Sequence, residues 1–394
     1  MKACFLGLGY IGLPTAIIAA NSGILVHGVD INESILRALN EGILPIEEPG
    51  LQSIFQDCLS KRSISFGLNV VKADVYVVAV PTPFKENYEP NIDYVLSACN
   101  AIFEVASTKS LIIIESTSPV GTTKSVEDCW QTNKRSKEIE LLFAYCPERV
   151  IPGNLIEELE NNPRIIGGNK PQAIEKAIDF YSRFVKGGLH CTNISTAEMC
   201  KLVENAFRDV NIAFANELSI LCEEIDVNVF ELISLANLHP RVNILTPGIG
   251  VGGHCIAIDP YFIISKSPLN AKLISKAREV NNYKPHWVVN KIVESLSKFD
   301  YRPNVAFCGL TYKPDIDDYR ESPAIEIINK IFELNICNVN VFDPFVNVPS
   351  SVGFVNERTI PDLDDFDFIV VLVKHTAFTS ILSSIYKNKV LFFS

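Results

Sequence analysis

Residues 2–23 read KACFLGLGYIGLPTAIIAANSG. A short apolar run leads into Gly7-x-Gly9-x-x-Gly12, and apolar residues at helical spacing follow. ILVHGVD (24–30) then gives a second strand ending at Asp30. The glycines permit a tight turn, close approach to a pyrophosphate and close packing of helix on strand. The helix N-terminus turns its amides and dipole toward phosphate. Asp30 lies 21 residues after Gly9, where a carboxylate holds an adenosine ribose diol. A chance glycine pattern is the competing reading, because GxGxxG alone is weak. Strand, helix and acid together favour a dinucleotide site built from Gly7, Gly9, Tyr10, Ile11, Gly12 and Asp30. Ile31 and Asn32 offer no cation for a 2′-phosphate, which favours NAD over NADP.

The bulk properties narrow the class. With 394 residues the chain is long enough for two or three domains. A net charge of −11 argues against non-specific nucleic-acid binding, so an anionic ligand must find its positive charge locally. The 11 cysteines are irregularly spaced and none forms a C-x-x-C pair, which speaks against disulfides and structural zinc. No metal is expected. The N-terminal glycines and Pro14 interrupt any signal-peptide core, and no run of eighteen apolar residues occurs. A soluble protein of the cytoplasm is the expectation, without a membrane partner.

Strands and helices continue to alternate. ADVYVVAVPTP (73–83), SLIIIESTSPVGTT (110–123) and LLFAYCPERVIPGN (141–154) read as buried parallel strands running into loops. Ligands gather beyond the carboxyl ends of such strands, which places Pro81, Thr82, Thr117 and Thr122 near the cofactor. Hydroxyls beside proline are equally ordinary turn chemistry. Residues 195–225 form a long helical pattern in which Met199, Leu202, Val203, Ala206, Phe207 and Val210 keep the spacing of a buried stripe. Lys201 and Asn205 share another face. Residues 276–296 read as helix broken near Pro285. NVAFCGLTY (304–312), SPAIEIINKIFEL (322–334), NVNVFDP (338–344) and FDFIVVLV (366–373) make a second alternating unit. The fold class is α/β, with two Rossmann-like lobes joined by a central helical segment carrying a long helix. The expected domains are 1–194, binding NAD, 195–300, helical with a cysteine loop, and 301–394, a second Rossmann-like domain.

One motif stands outside this frame. GIGVGGHCIAIDPYF (248–262) puts Cys255 at a glycine turn, with Asp259 four residues on. Together with GLGYIGLP (7–14), VPTP (80–83), ESTSPVGTT (115–123), KLVENAF (201–207) and GLTYKPDIDDYRES (309–322), it resembles the UDP-glucose/GDP-mannose 6-dehydrogenase family. HPRVNI (239–244), and Ile258 where the glucose branch has lysine, resemble the branch acting on UDP-N-acetyl-D-mannosamine.

The resemblance implies a four-electron oxidation of a C6 hydroxymethyl to a carboxylate with two NAD⁺. Cys255 matches the nucleophile that forms a thiohemiacetal and then a thioester. Lys201 matches the lysine that steadies oxyanions, and Asn205 the amide that orients the same oxygen. Asp259 matches a carboxylate beside the thiol, Thr117 a water-binding hydroxyl and Glu148 a carboxylate of the hydrolytic site. A second family glutamate falls at Pro152. Arg149, Val150, Gly252 and Lys313 fall to the UDP-sugar and Arg320 to the cofactor. Arg241 matches a residue reaching into a neighbouring subunit, in keeping with a homodimer or larger homo-oligomer through the central helix. Cys4, Cys146, Cys222 and Cys308 read as core fillers. UDP-N-acetylglucosamine, UDP-N-acetylgalactosamine and UDP-glucose stay open as substrates. A two-electron hydroxyacid-type dehydrogenase and a non-catalytic NAD sensor stay open as classes. NADH per sugar separates the three: two, one or none.

Overall fold

The computed structural model describes the chain except residues 47, 86–88, 151–152, 254, 360–361, 363–364, 379–388 and 394. Two compact units emerge: Met1–Val203 with Tyr261–Lys266, and Glu204–Pro260 with Ser267–Ser394.

In the first unit the strands are β1 (Lys2–Leu6), β2 (Leu25–Val29), β3 (Ile64–Gly67), β4 (Val75–Val78), β5 (Leu111–Ile114), β6 (Leu142–Tyr145), β7 (Arg164–Gly168) and β8 (Leu189–Thr192). They form one sheet in the order β3-β2-β1-β4-β5-β6-β7-β8. Neighbours are parallel except β6 and β7. The helices are α1 (Gly12–Asn21), α2 (Glu33–Asn40), α3 (Leu51–Ser60), α4 (Asp93–Val105), α5 (Thr122–Thr132), α6 (Leu155–Asn161) and α7 (Pro171–Tyr181). Side chains alternate across each strand, so β1 feeds two cores. Ala3 and Phe5 join Leu13 and Ile17 of α1, while Cys4 and Leu6 join Cys99 and Phe103 of α4.

The second unit holds a parallel sheet of β9 (Asn304–Cys308), β10 (Asn338–Phe342), β11 (Phe368–Val371) and β12 (Val390–Phe392), in the order β10-β9-β11-β12. The helices α8 (Ile194–Glu224), α9 (Val229–Ala236), α10 (Asp259–Lys266), α11 (Lys272–Leu296) and α12 (Pro323–Leu334) complete the chain. The Ser322 hydroxyl caps α12 by accepting from Ala324 N. The expected fold class is the observed one.

Three readings are corrected. Helix α11 is not broken at Pro285 but runs through it. Asn281 and Lys284 before the proline and Val288 and Val289 after it are buried, and that packing outweighs the missing backbone donor. The apolar stripe of α8 is not uniformly buried: Val203 is 45% and Phe207 68% exposed. The buried face instead carries Glu198, Leu202, Asn205, Asp209 and Asn216. Strands β7 and β8 lie in sequence for which no strand was expected.

Candidate functional site

The glycine turn is built as its residues dictate. Gly7 has φ +94°, and a Cβ there would meet Ala79 O at 2.4 Å. Gly7 N donates to Val29 O at 2.9 Å, closing β1 onto the end of β2. Asp30 follows β2, accepting from Leu8 N at 2.8 Å and Asn32 N at 2.9 Å. No side chain caps α1 at Ile11, and a Cβ on Gly9 would find open space. A bare helix N-terminus, unfilled space and a half-buried carboxylate fit a dinucleotide, with pyrophosphate on the amides and a ribose diol on Asp30. The α5 N-terminus is different. Glu198 of α8 accepts from Gly121 N at 2.7 Å and from Thr123 N and Oγ1 at 2.8 and 2.7 Å.

Among the expected hydroxyls, Thr82 Oγ1 donates to Thr117 O at 2.5 Å and Thr122 Oγ1 to Pro119 O at 2.7 Å. The Thr122 bond is the local turn chemistry that the sequence left open, whereas the Thr82 bond ties the loop after β4 to the loop after β5. Tyr10 Oη approaches Glu48 Oε2 at 3.5 Å, and Glu48 also accepts from Gly153 N and Leu155 N at 3.0 and 2.8 Å. Glu48 therefore caps α6 and ties it to the glycine turn.

Glu148 is buried. One oxygen accepts from Arg149 N at 2.7 Å and the other meets Arg164 Nη1 at 2.5 Å. Arg149 sends Nη1 to Pro163 O at 3.2 Å. Val150 packs against the core. Position 152, where the second family glutamate falls, lies outside the described residues. Lys201 on α8 is half-buried.

The second unit brings Asn205, Cys255, Asp259, Gly252 and Arg320 to one region. Asn205 Nδ2 donates to Asp259 Oδ2 at 2.5 Å, and both residues are buried. Cys255 is exposed one turn before α10, its carbonyl accepting from Ile258 N and Asp259 N at 3.1 and 2.9 Å. The positive end of α10 thus adjoins the cysteine. The glycines let the turn lie against residues 312–323: a Cβ on Gly252 would meet Glu321 O at 2.5 Å and Tyr312 Cβ at 2.7 Å. Gly253 N donates to Arg320 O at 3.3 Å. Arg320 grips Asp318 through two bonds of 2.8 and 2.7 Å. Lys313 and Arg241 are exposed.

Three of the other cysteines, Cys4, Cys146 and Cys308, are buried. Burial pushes the thiol of Cys4 up to about 11 and those of Cys146 and Cys308 up to about 12, so all three are protonated at neutral pH. Sequence reasoning missed Glu48, Glu115, Arg164, Glu198, Asp318 and His375. Asp318 bonds Arg320 only two residues on, but the bonds of the other five join residues distant in sequence, so local pattern carries no signal for them. The one clue was a lone arginine opening the apolar run RIIGG (164–168).

Profiles of the UDP-glucose/GDP-mannose dehydrogenase family match along the chain: the NAD binding domain over residues 1–185, the central domain over 195–283 and the UDP binding domain over 306–392. A UDP-N-acetyl-D-mannosamine dehydrogenase of Campylobacter jejuni is 47% identical, covering 97% of this chain and 97% of its own. An NDP-N-acetyl-D-galactosaminuronic acid dehydrogenase of Ralstonia nicotianae is 46% identical over 94% of this chain and 90% of its own. A solved UDP-N-acetyl-mannosamine dehydrogenase of S. aureus superposes with TM-score 0.87 at 37% identity, covering 100% of this chain and 98% of its own. The chain belongs to the UDP-glucose/GDP-mannose dehydrogenase family. It is an NAD-dependent nucleotide-sugar dehydrogenase. Among the described residues, no helix is long and apolar enough to cross a membrane, and no group of three His, Cys, Asp or Glu side chains is placed to hold a metal.

Proposed function

We propose that the chain oxidises the C6 hydroxymethyl of UDP-N-acetyl-D-mannosamine to the carboxylate through a covalent adduct on Cys255. The observation that carries this reading is the pairing of buried Asp259 with Asn205 beside an exposed cysteine at a helix N-terminus. NAD⁺, when bound, supplies the hydride acceptor, two equivalents per sugar. Gly7, Gly9, Tyr10, Ile11, Gly12, Asp30, Pro81, Thr82, Thr117 and Arg320 hold it. Lys201 steadies negative charge on O6, and Asn205, fixed by Asp259, orients that oxygen. The Cys255 thiolate adds to the aldehyde carbon and retains it as a thiohemiacetal. At the thioester stage a water bound by Thr117 attacks the carbonyl carbon. Glu148 takes its proton, the C–S bond breaks and the thiolate of Cys255 leaves. Arg149, Val150, Arg241, Gly252 and Lys313 contact the UDP-sugar.

The division 1–194, 195–300 and 301–394 assigns NAD, the cysteine turn and UDP to successive domains. A homodimer forms through α8, whose exposed Val203, Phe207, Phe214 and Leu221 recur on one face. Light scattering that finds only monomer overturns this. The enzyme works in the cytoplasm, where a free catalytic thiol persists; an intact enzyme recovered only from an oxidising compartment contradicts this. A panel of UDP-sugars with NAD⁺ tests the whole reading. UDP-N-acetyl-D-mannosamine should give the highest kcat/KM and two NADH per sugar. Preference for UDP-N-acetylgalactosamine is the second reading, favoured by the Ralstonia relative. One NADH per sugar would sink the covalent route.

A further inference from the structure

Glu148 is the outermost member of a buried ionisable cluster in the first unit. Arg164 opens β7, is buried and gives Nη1 to Glu148 Oε2 at 2.5 Å. Its guanidinium lies 5.4 Å from the ring centroid of Tyr181, the last residue of α7. Tyr181 Oη donates to Glu115 Oε1 at 2.6 Å, and Glu115 directly follows β5. Cys146, directly after β6, completes the set. All five side chains are buried. Glu115 Oε2 and Arg164 Nη2 have no hydrogen-bond partner among the described residues.

Two carboxylates therefore share one guanidinium. With both ionised, the cluster carries a net negative charge in a desolvated site, which is costly. One proton removes that charge, and the bonding decides where it sits. Arg164 is bonded to Glu148, so Glu148 holds the charge and Glu115 the proton. Burial pushes the Glu115 carboxyl up to about 7; Arg164 opposes this, Glu148 adds to it and the Tyr181 bond opposes it. Cys146, pushed up to about 12, stays a neutral thiol, and Tyr181, raised by burial, stays a neutral phenol.

We propose that Arg164 is a positioning residue that keeps Glu148 ionised and aimed, and that Glu115 is the proton-bearing partner that keeps this cluster neutral while Glu148 accepts a proton. The proposal rests on the reading of Glu148 as the base of thioester hydrolysis. When Glu148 takes the water's proton, its repulsion of Glu115 vanishes and the guanidinium is released to stabilise a Glu115 anion. Glu115 then gives up its proton to solvent, so one proton remains in the cluster before and after.

The test starts with the wild-type enzyme, so it does not depend on a variant folding. Difference infrared spectroscopy should show a neutral carboxyl C=O band that titrates near pH 7 and is missing from Glu115→Gln. No carboxyl band titrating between about pH 6 and 8 overturns the proposal. Rapid-quench kinetics with UDP-N-acetyl-D-mannosamine and NAD⁺ then separate the first NADH from uronate release. Arg164→Met should slow uronate release at least about tenfold while the first NADH forms at nearly wild-type rate, and Arg164→Lys should recover part of the loss. Equal slowing of both steps overturns the positioning role. Glu148→Gln with wild-type uronate release would instead remove the underlying reading, whatever the infrared titration shows.

Discussion

Gly7 and Gly309 occupy the same place in their respective lobes. Each has φ +94° and ends the lobe's first strand. Gly7 N donates to Val29 O and Gly309 N to Phe342 O, both at 2.9 Å. The next amide reaches the aspartate after the adjacent strand: Leu8 N to Asp30 at 2.8 Å, Leu310 N to Asp343 at 2.6 Å. Even the amide two residues beyond each aspartate repeats, from Asn32 and from Phe345. The turns then diverge. Gly9-x-x-Gly12 enters a helix at once, whereas Thr311-Tyr312-Lys313 runs on as loop until α12. Asp30 is half-buried, but Asp343 is fully buried and bonded to His375 Nε2 at 3.0 Å. His375 Nδ1 accepts from Asp315 N, which leaves Nε2 as the protonated donor to Asp343. One backbone device thus serves an open carboxylate in one lobe and a plugged one in the other. An acid after the second strand is a ligand residue only while no side chain occupies it.

The largest expected effect lies outside both turns. If the chemistry belongs to the cysteine turn, Cys255→Ser should reduce steady-state NADH formation on the order of a thousandfold or more, with the fold and NAD⁺ binding kept. Cys146→Ser and Cys308→Ser, if folded, should retain turnover. Wild-type rates with Cys255→Ser would return the turn to a structural role.

The plugged aspartate should report on stability. Asp343→Ala strips the buried His375 Nε2 of its carboxylate partner and leaves the Leu310 amide without its acceptor, so calorimetry should record a loss of about 3–5 kcal/mol. NAD⁺ affinity in folded protein should be unchanged; a large fall would break the contrast. Burial pushes the Asp343 carboxyl up, but the bonds from His375, Leu310 and Phe345 together hold it below the ordinary aspartate range. Its contribution is therefore full above the unfolded value of about 4 and is lost as pH falls through the folded one. Wild type should lose stability across that acid window more steeply than Asp343→Asn.

The open aspartate should show the converse, at smaller size. Asp30→Ala should raise the KM for NAD⁺ about tenfold and narrow the gap to NADP⁺, with Tm nearly unchanged. Equal use of both cofactors by wild type would sink the assignment.

The first lobe was legible in the sequence because its signals are local: glycines, helix period and an acid at fixed offsets. In the second lobe the alternation and the motif at 309–322 were legible, but not the His375 plug, which joins residues 32 apart in sequence. On α8 the period placed Val203 and Phe207 in a buried stripe, yet both are exposed, because period does not say what covers a face. The polar face gave no local clue to its burial because its partners are remote: Asn205 pairs with Asp259, Asp209 with Arg278 and Asn216 with Asn281. Pro285 misled because a propensity near 3 kcal/mol yields to packing on both sides. Arg164 offered one clue, a lone arginine opening an apolar run, but nothing local pointed to its partner Glu148, 16 residues earlier.

The strand order of the larger sheet has a consequence for synthesis. One half of the sheet, β3-β2-β1-β4, is complete once residue 78 has left the ribosome. Strands β5, β6, β7 and β8 then join in the order they are made, each beside its predecessor. After that point no later strand must be threaded between two already paired. The unpaired edge on this side is always the newest segment, and the next strand to emerge covers it. A parallel sheet assembles slowly because its contacts are distant along the chain. Growth by addition at a moving edge shortens the time any one strand stands open to pair with another molecule.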